Sequence, residues 1–232
     1  MATPAAFLEF VQLIVEGDAL SVSRQLRADP SLATMASPAG ATRQRAADFF
    51  FTEIRHYIYR GDTALHMAAA AFSAPMAKVL VAHGADCRAR NRRGAEPLHY
   101  AADANRSEPR AQAGVIAYLI SVGADPNAVD GSGVTPLHRA VRTRSLAAVR
   151  ALLDGGAKVR QANGSGSTPL HLVVQTTGAS GSGSAEARRE QEGIIKLLME
   201  RGGKLSDRDG RGKKVVEAAG SGWVRELLKA AD

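Results

Sequence analysis

Gly133-Val-Thr-Pro-Leu-His138 is one of four copies of a single phrase; the others are Gly61-Asp-Thr-Ala-Leu-His66, Gly94-Ala-Glu-Pro-Leu-His99 and Gly166-Ser-Thr-Pro-Leu-His171. Gly212 opens a degenerate fifth copy, in which Lys213-Lys-Val-Val-Glu217 replaces the rest. The opening glycines are 33, 39, 33 and 46 residues apart. A period in that range means stacked supersecondary units rather than one central core. The phrase itself is a helix start. Thr can cap free backbone amides, and Pro is tolerated at the first helical position because its missing N–H would be unpaired anyway. Further along each copy, apolar residues return at helical spacing: Met76, Val79 and Leu80; Val115, Ile116, Leu119 and Ile120; Val149, Leu152 and Leu153; Ile194, Ile195, Leu197 and Leu198. Gly84, Gly123, Gly156 and Gly202 follow them, at positions where a helix ends in a left-handed residue.

A second motif recurs in fixed order after the first: Gly84-Ala-Asp86, Gly123-Ala-Asp125, Gly156-Ala-Lys158 and Gly202-Gly-Lys204. Together the two motifs make residues 58 to about 229 resemble the ankyrin repeat family, with its Thr-Pro-Leu-His-x-Ala signature. The resemblance implies an all-α solenoid of stacked helix-turn-helix units joined by short β-hairpin-like turns, with helical caps at both ends. On this reading residues 1–232 form one ankyrin-repeat domain. Its N-terminal capping helix pair is 1–30, followed by an insertion at 31–57. Repeats follow at 58–90, 91–129, 130–162 and 163–208, and a C-terminal cap at 209–232.

Three insertions break the period. Spacings of 39 and 46 against 33 leave six extra residues around Asp103 to Gln112 and 13 around Thr176 to Glu190, the latter including the linker-like Gly178-Ala-Ser-Gly-Ser-Gly-Ser184. The first insertion differs in character, carrying Arg43-Gln-Arg45, Phe49-Phe-Phe51 and Arg55-His-Tyr-Ile-Tyr59. Three adjacent phenylalanines in a loop either pack on the repeats or await a partner.

Six histidines raise the question of a metal site. His66, His99, His138 and His171 occupy the same signature position one repeat apart, too far to converge on one ion at Zn–N distances of about 2.0–2.1 Å. In the family this imidazole bonds the hairpin backbone and the signature Thr. His83 precedes a helix-ending glycine, where a basic group suits the helix dipole, and His56 has no family counterpart. The lone Cys87 forms no intramolecular disulfide and is compatible with a reducing compartment. No phosphate-binding loop or nucleophile motif is present, so the expectation is a non-catalytic protein without cofactor or metal. Asp125-Pro-Asn127 resembles a repeat-end loop modified on asparagine in some family members, and also reads as a turn-forming Asn.

The resemblance places the partner surface on the hairpin tips and the open side of the first helices. Carried over, that gives Tyr59, Arg60 and Met67 from the first repeat, Arg92, Arg93 and Tyr100 from the second, Arg139 and Arg142 from the third, and Leu172 and Gln175 from the fourth. Arginine and tyrosine dominate this set, and the chain carries a formal net charge of +7. Both facts point to a protein partner with an acidic segment. The alternatives are regulation of a partner enzyme through the Phe-rich insertion, and nucleic-acid binding through the arginines. Phe7 to Val15 is too short an apolar run to span a bilayer and lacks a basic n-region, which leads to the expectation of a cytoplasmic monomer. The Ala-, Arg- and Gly-rich composition has a bacterial look.

Overall fold

The computed structural model describes residues 3–103, 108–175 and 184–230. Residues 104–107 of the second insertion and 176–183 of the third lie outside the described residues. The chain falls into two compact units, residues 1–125 and 126–232.

The first unit opens with α1 (Pro4–Glu16) and α2 (Ala19–Ala28), turned by Gly17 in the left-handed region and capped by Asp18, whose carboxylate accepts the Ser21 amide. A short hairpin follows, with β1 (Phe50–Phe51) antiparallel to β2 (His56–Tyr57), Phe50 opposite Tyr57 and Phe51 opposite His56. Two helix pairs complete the unit: α3 (Ala64–Ala70) with α4 (Ala74–Ala82), and α5 (Pro97–Ala102) with α6 (Pro109–Ser121). The second unit holds α7 (Pro136–Arg142) with α8 (Leu146–Asp154), α9 (Pro169–Val173) with α10 (Ala185–Glu200), and the short α11 (Val215–Ala218) with α12 (Gly222–Lys229). Within each unit, first helices pack on first helices (α3 on α5, α7 on α9) and second on second (α4 on α6, α8 on α10). Leu65, Leu98, Leu137 and Leu170 are all buried, and small residues such as Ala68, Ala101 and Ala140 allow the close approach. Each fully buried leucine contributes roughly 1.5–3 kcal/mol. The fold is therefore the all-α ankyrin solenoid that the repeated phrase implied.

Each tip is a turn built around one short polar side chain. Asn91 Oδ1 accepts the amides of Arg93 and Ala95, Asp130 Oδ1 those of Ser132 and Val134, Asn163 Oδ1 those of Ser165 and Ser167, and Asp209 Oδ1 those of Arg211 and Lys213. These residues stand three before the signature glycine in every copy except the first, where Ile58 occupies the position. Neighbouring tips then join through their backbones: Gly164 N–H donates to Ser132 O, and Gly210 N–H to Ser165 O, each at 3.0 Å. That contact explains the glycine. A Cβ on Gly166 would lie 2.4 Å from the Gly210 nitrogen, and the residue has φ +76°.

The insertions between helices have a compensating residue. In the uninserted pairs the loop amide closes the first helix: Ser73 N–H donates to Ala68 O, and Ser145 N–H to Ala140 O. In the other two pairs the loop is longer and a glutamine takes that role. Gln112 Nε2 donates to Ala101 O at 2.9 Å, and Gln191 Nε2 donates to Val173 O at 2.5 Å. Both glutamines are buried, Gln112 in the first turn of its helix and Gln191 further along the longer helix Ala185–Glu200. A buried helix-end carbonyl needs a donor, and a side chain supplies it where the backbone has been displaced.

At the C-terminal end, Glu217 stands in the signature histidine position and its Oε2 accepts the Lys214 amide at 2.8 Å. Val216, in the signature leucine position, is exposed.

Candidate protein-interaction site

The signature histidines are scaffold. The amides of Thr63, Thr135 and Thr168 donate to Nδ1 of His66, His138 and His171 at 3.1–3.2 Å. Nδ1 is thereby the acceptor, so the proton sits on Nε2. It points at the next tip: Nε2 lies 3.1 Å from Ala95 O for His66, 3.0 Å from Ser167 O for His138 and 3.2 Å from Lys213 O for His171. Burial pushes the His138 imidazole below its usual range, holding it neutral. In the second phrase Glu96 replaces Thr and is also buried. Burial pushes its carboxyl above the usual range, and its Oε2 has no hydrogen-bond partner. Asn127 bonds at both ends of its amide, accepting the Lys158 N–H at 2.7 Å and donating to Gly156 O at 3.1 Å. It works as a brace between loops. Cys87 is half-buried with a thiol raised by burial. Among the described residues, no cluster of three or more His, Cys, Asp or Glu is placed to hold a metal ion. No described helix is long and apolar enough to cross a membrane.

Two residues expected on the partner surface are corrected. Met67 is 0% exposed and Tyr100 is 2% exposed, so neither can meet a partner. For Tyr100 the reason lies in the inserted hairpin. The His56 ring centroid sits 4.6 Å from that of Tyr100, and the His66 and Tyr100 rings meet in a T-shaped arrangement with centroids 5.0 Å apart. The Tyr100 hydroxyl donates to the Asp62 carboxylate, 2.8 Å from either oxygen. Asp62 is fully buried and also accepts the Tyr59 amide at 2.6 Å and Asn91 Nδ2 at 2.8 Å. With Ile58 in place of the tip Asn or Asp, the Asp62 side chain caps the first tip instead.

The hairpin is packed, not loose. Ile54 and Ile58 are fully buried, and Phe49 and Phe51 are buried too. Gln12 Nε2 on α1 donates to Glu53 Oε1 at 3.0 Å. Of the three phenylalanines only Phe50 is exposed, at 39%. Its ring centroid lies 4.7 Å from that of Tyr57, which lies 6.3 Å from that of Tyr59. The guanidinium carbon of Arg93 sits 4.4 Å from the Tyr59 ring centroid and that of Arg92 5.9 Å. Arg92 Nη2 also donates to Ala41 O at 3.3 Å. The first unit therefore brings together Tyr59, Arg92 and Arg93 from the expected set, with Arg60 exposed one residue along. Among the described residues, Arg60, Arg92 and Arg93 have no carboxylate within ion-pair distance.

In the second unit the expected residues behave differently. Arg139 pairs with Asp130 at 3.1 Å, both side chains largely buried. Burial would raise the Asp130 carboxyl, but the Ser132 and Val134 amides and the Arg139 guanidinium outweigh it and hold it below the usual range. Arg142 is exposed, while Leu172 and Gln175 are half-buried. Sequence reasoning missed Phe50 and Tyr57 as surface partners of Tyr59, because their contacts depend on how the insertion folds back. It also passed over Asn91, Asp130, Asn163 and Asp209, whose fixed distance before each signature glycine was visible.

A family model described as ankyrin repeats (3 copies) matches residues 35–109 and 110–209. Over 81 residues the chain is 42% identical to an E3 ubiquitin-protein ligase KEG of Arabidopsis thaliana. That similarity covers 35% of this chain and 5% of the ligase.

Proposed function

We propose, from the premise that the chain belongs to the ankyrin-repeat family, that it is a non-catalytic interaction module whose partner protein presents an acidic segment. Ankyrin repeats mediate protein–protein interaction. The repeats at 58–90, 91–129, 130–162 and 163–208, between end caps, serve here as the frame that presents the binding residues. The observation carrying the acidic partner is the group Arg60, Arg92 and Arg93, cations on adjoining tips with no carboxylate in reach and two of them held on Tyr59. Uncompensated guanidiniums fixed on an aromatic ring attract carboxylates, and their geometry favours bidentate pairing. Arg139, already neutralised by Asp130, makes a smaller contribution. The partner reading favours no ligase activity for this chain, since the relative is matched over a small share of its length.

Affinity capture from the native host, with an Arg60→Ala/Arg92→Ala/Arg93→Ala variant as control, tests the reading. The variant should keep its melting temperature and weaken the captured acidic segment about tenfold or more. Equal binding by both proteins contradicts it. Nucleic acid is separated by salt: three arginines on duplex phosphates give a log–log slope of about −2.7.

A further inference from the structure

We propose, building on the acidic-partner reading above, that the inserted hairpin is the recognition element, and that its partner segment carries one large apolar or aromatic side chain among its acidic residues. Met67 and Tyr100 are buried, Tyr100 against the His56 ring of the hairpin, so neither side chain is presented on the first-helix face. Beside them the hairpin and the adjoining tips line up a continuous strip of four side chains: Phe50, Tyr57, Tyr59 and Arg93, each within 4.4–6.3 Å of the next. One end is an exposed apolar ring and the other a pair of unneutralised guanidiniums. Tyr57 and Tyr59 between them are half-buried, and their hydroxyls have no hydrogen-bond partner among the described residues. An apolar body with a free polar tip is the arrangement that lets tyrosine serve an interface. Apolar-to-cationic order along the strip asks for the complementary order in a ligand: a hydrophobic anchor at Phe50 and carboxylates at Arg92 and Arg93.

Arginines and aromatic rings also suit single-stranded nucleic acid, which stacks its bases on open ring faces. Here the rings are spent on each other. Phe50 packs against Tyr57 at an interplanar angle of 50°, Tyr57 against Tyr59 at 47°, and Arg93 sits over Tyr59. What remains outward favours a peptide over bases.

Selection from a random peptide library displayed against the full chain tests this. Enriched peptides should be net acidic around an aromatic or large aliphatic residue. Phe50→Ser and Arg92→Ala/Arg93→Ala should each weaken them about tenfold with an unchanged melting temperature. Loss with the arginine variant but not with Phe50→Ser overturns the hairpin's role and leaves the acidic-partner reading standing. Loss with neither, or enriched peptides without acidic residues, overturns both. Competition by an oligo-dT single strand at equal affinity overturns the peptide assignment. Photo-crosslinking from p-benzoylphenylalanine at position 50 guards against a folding defect in Phe50→Ser. A crosslink there supports the inference, and crosslinking only from positions 142 or 172 contradicts it.

Discussion

The two units place the same first-helix position in different surroundings. In the first unit the residue after the signature histidine is Met67 or Tyr100, both sealed. In the second it is Arg139, ion-paired with Asp130, or the half-buried Leu172. The frame is otherwise alike in both: histidine to the next tip, polar turn residue before the glycine, left-handed glycine after the second helix. At Tyr100 the difference comes from the inserted hairpin, whose His56 ring packs on the Tyr100 ring. A repeat frame can thus keep its backbone contacts while one first-helix position changes its surroundings from repeat to repeat.

The largest effect expected from breaking the shared frame is at the tips. Gly166→Ala in the second unit drives a Cβ into backbone 2.4 Å away as well as straining φ, and should cost about 4 kcal/mol by chemical denaturation. Gly61→Ala in the first unit, with its nearest backbone atom at 2.9 Å, should lose less. Equal losses at the two sites would show that the clash is relieved by movement of the tips. Gly156→Ala has nothing within 4 Å and isolates the conformational strain, about 1–2 kcal/mol.

Next come the glutamines that replace a loop amide, one in each unit. Gln112→Leu and Gln191→Leu each leave a buried carbonyl without its donor and should destabilise by about 2 kcal/mol. A neutral result at either site would mean that its longer loop supplies another donor.

A smaller, pH-dependent effect distinguishes the second phrase from its relatives. Glu96 has its carboxyl raised by burial, so its native environment favours the protonated form. Stability from that group is therefore full below the ordinary glutamate range and is lost as pH rises through the raised value. Glu96→Thr, which restores the residue found at 63, 135 and 168, should stabilise by about 1 kcal/mol near pH 7. The gain should shrink toward about pH 3. A gain independent of pH would assign it to packing. His138 works with the opposite sign: its depressed value supplies stability at neutral pH that is lost on acidification.

The smallest effect again sets unit against unit. Phe72 and Arg144 fill the same left-handed loop position, with φ 54° and 59°. Arg144→Gly relieves strain at a half-exposed residue and should stabilise by about 0.5–1 kcal/mol in thermal melts. Phe72→Gly forfeits a buried ring and should destabilise despite the same backbone relief.

The scaffold was legible because its residues recur. Aligning the phrases located the helix starts and the structural histidines, which depend on local or neighbouring-repeat contacts. The same alignment held the tip residues Asn91, Asp130, Asn163 and Asp209, which a search limited to the phrase itself did not reach. What stayed hidden is tertiary. No periodicity tells that an insertion will fold back to bury Tyr100 beneath His56, or that Asp62 will cap its own tip because Ile58 has displaced the usual residue. Gln112 and Gln191 carry their meaning only beside the carbonyls they satisfy.

Hydrogen–deuterium exchange of the full chain, with and without a bound acidic peptide, tests the central claim most directly. Protection confined to the first unit, at residues 41–60 and 91–95, is the predicted outcome. Protection concentrated around 139–142 and 172–175, with the hairpin unchanged, would contradict it.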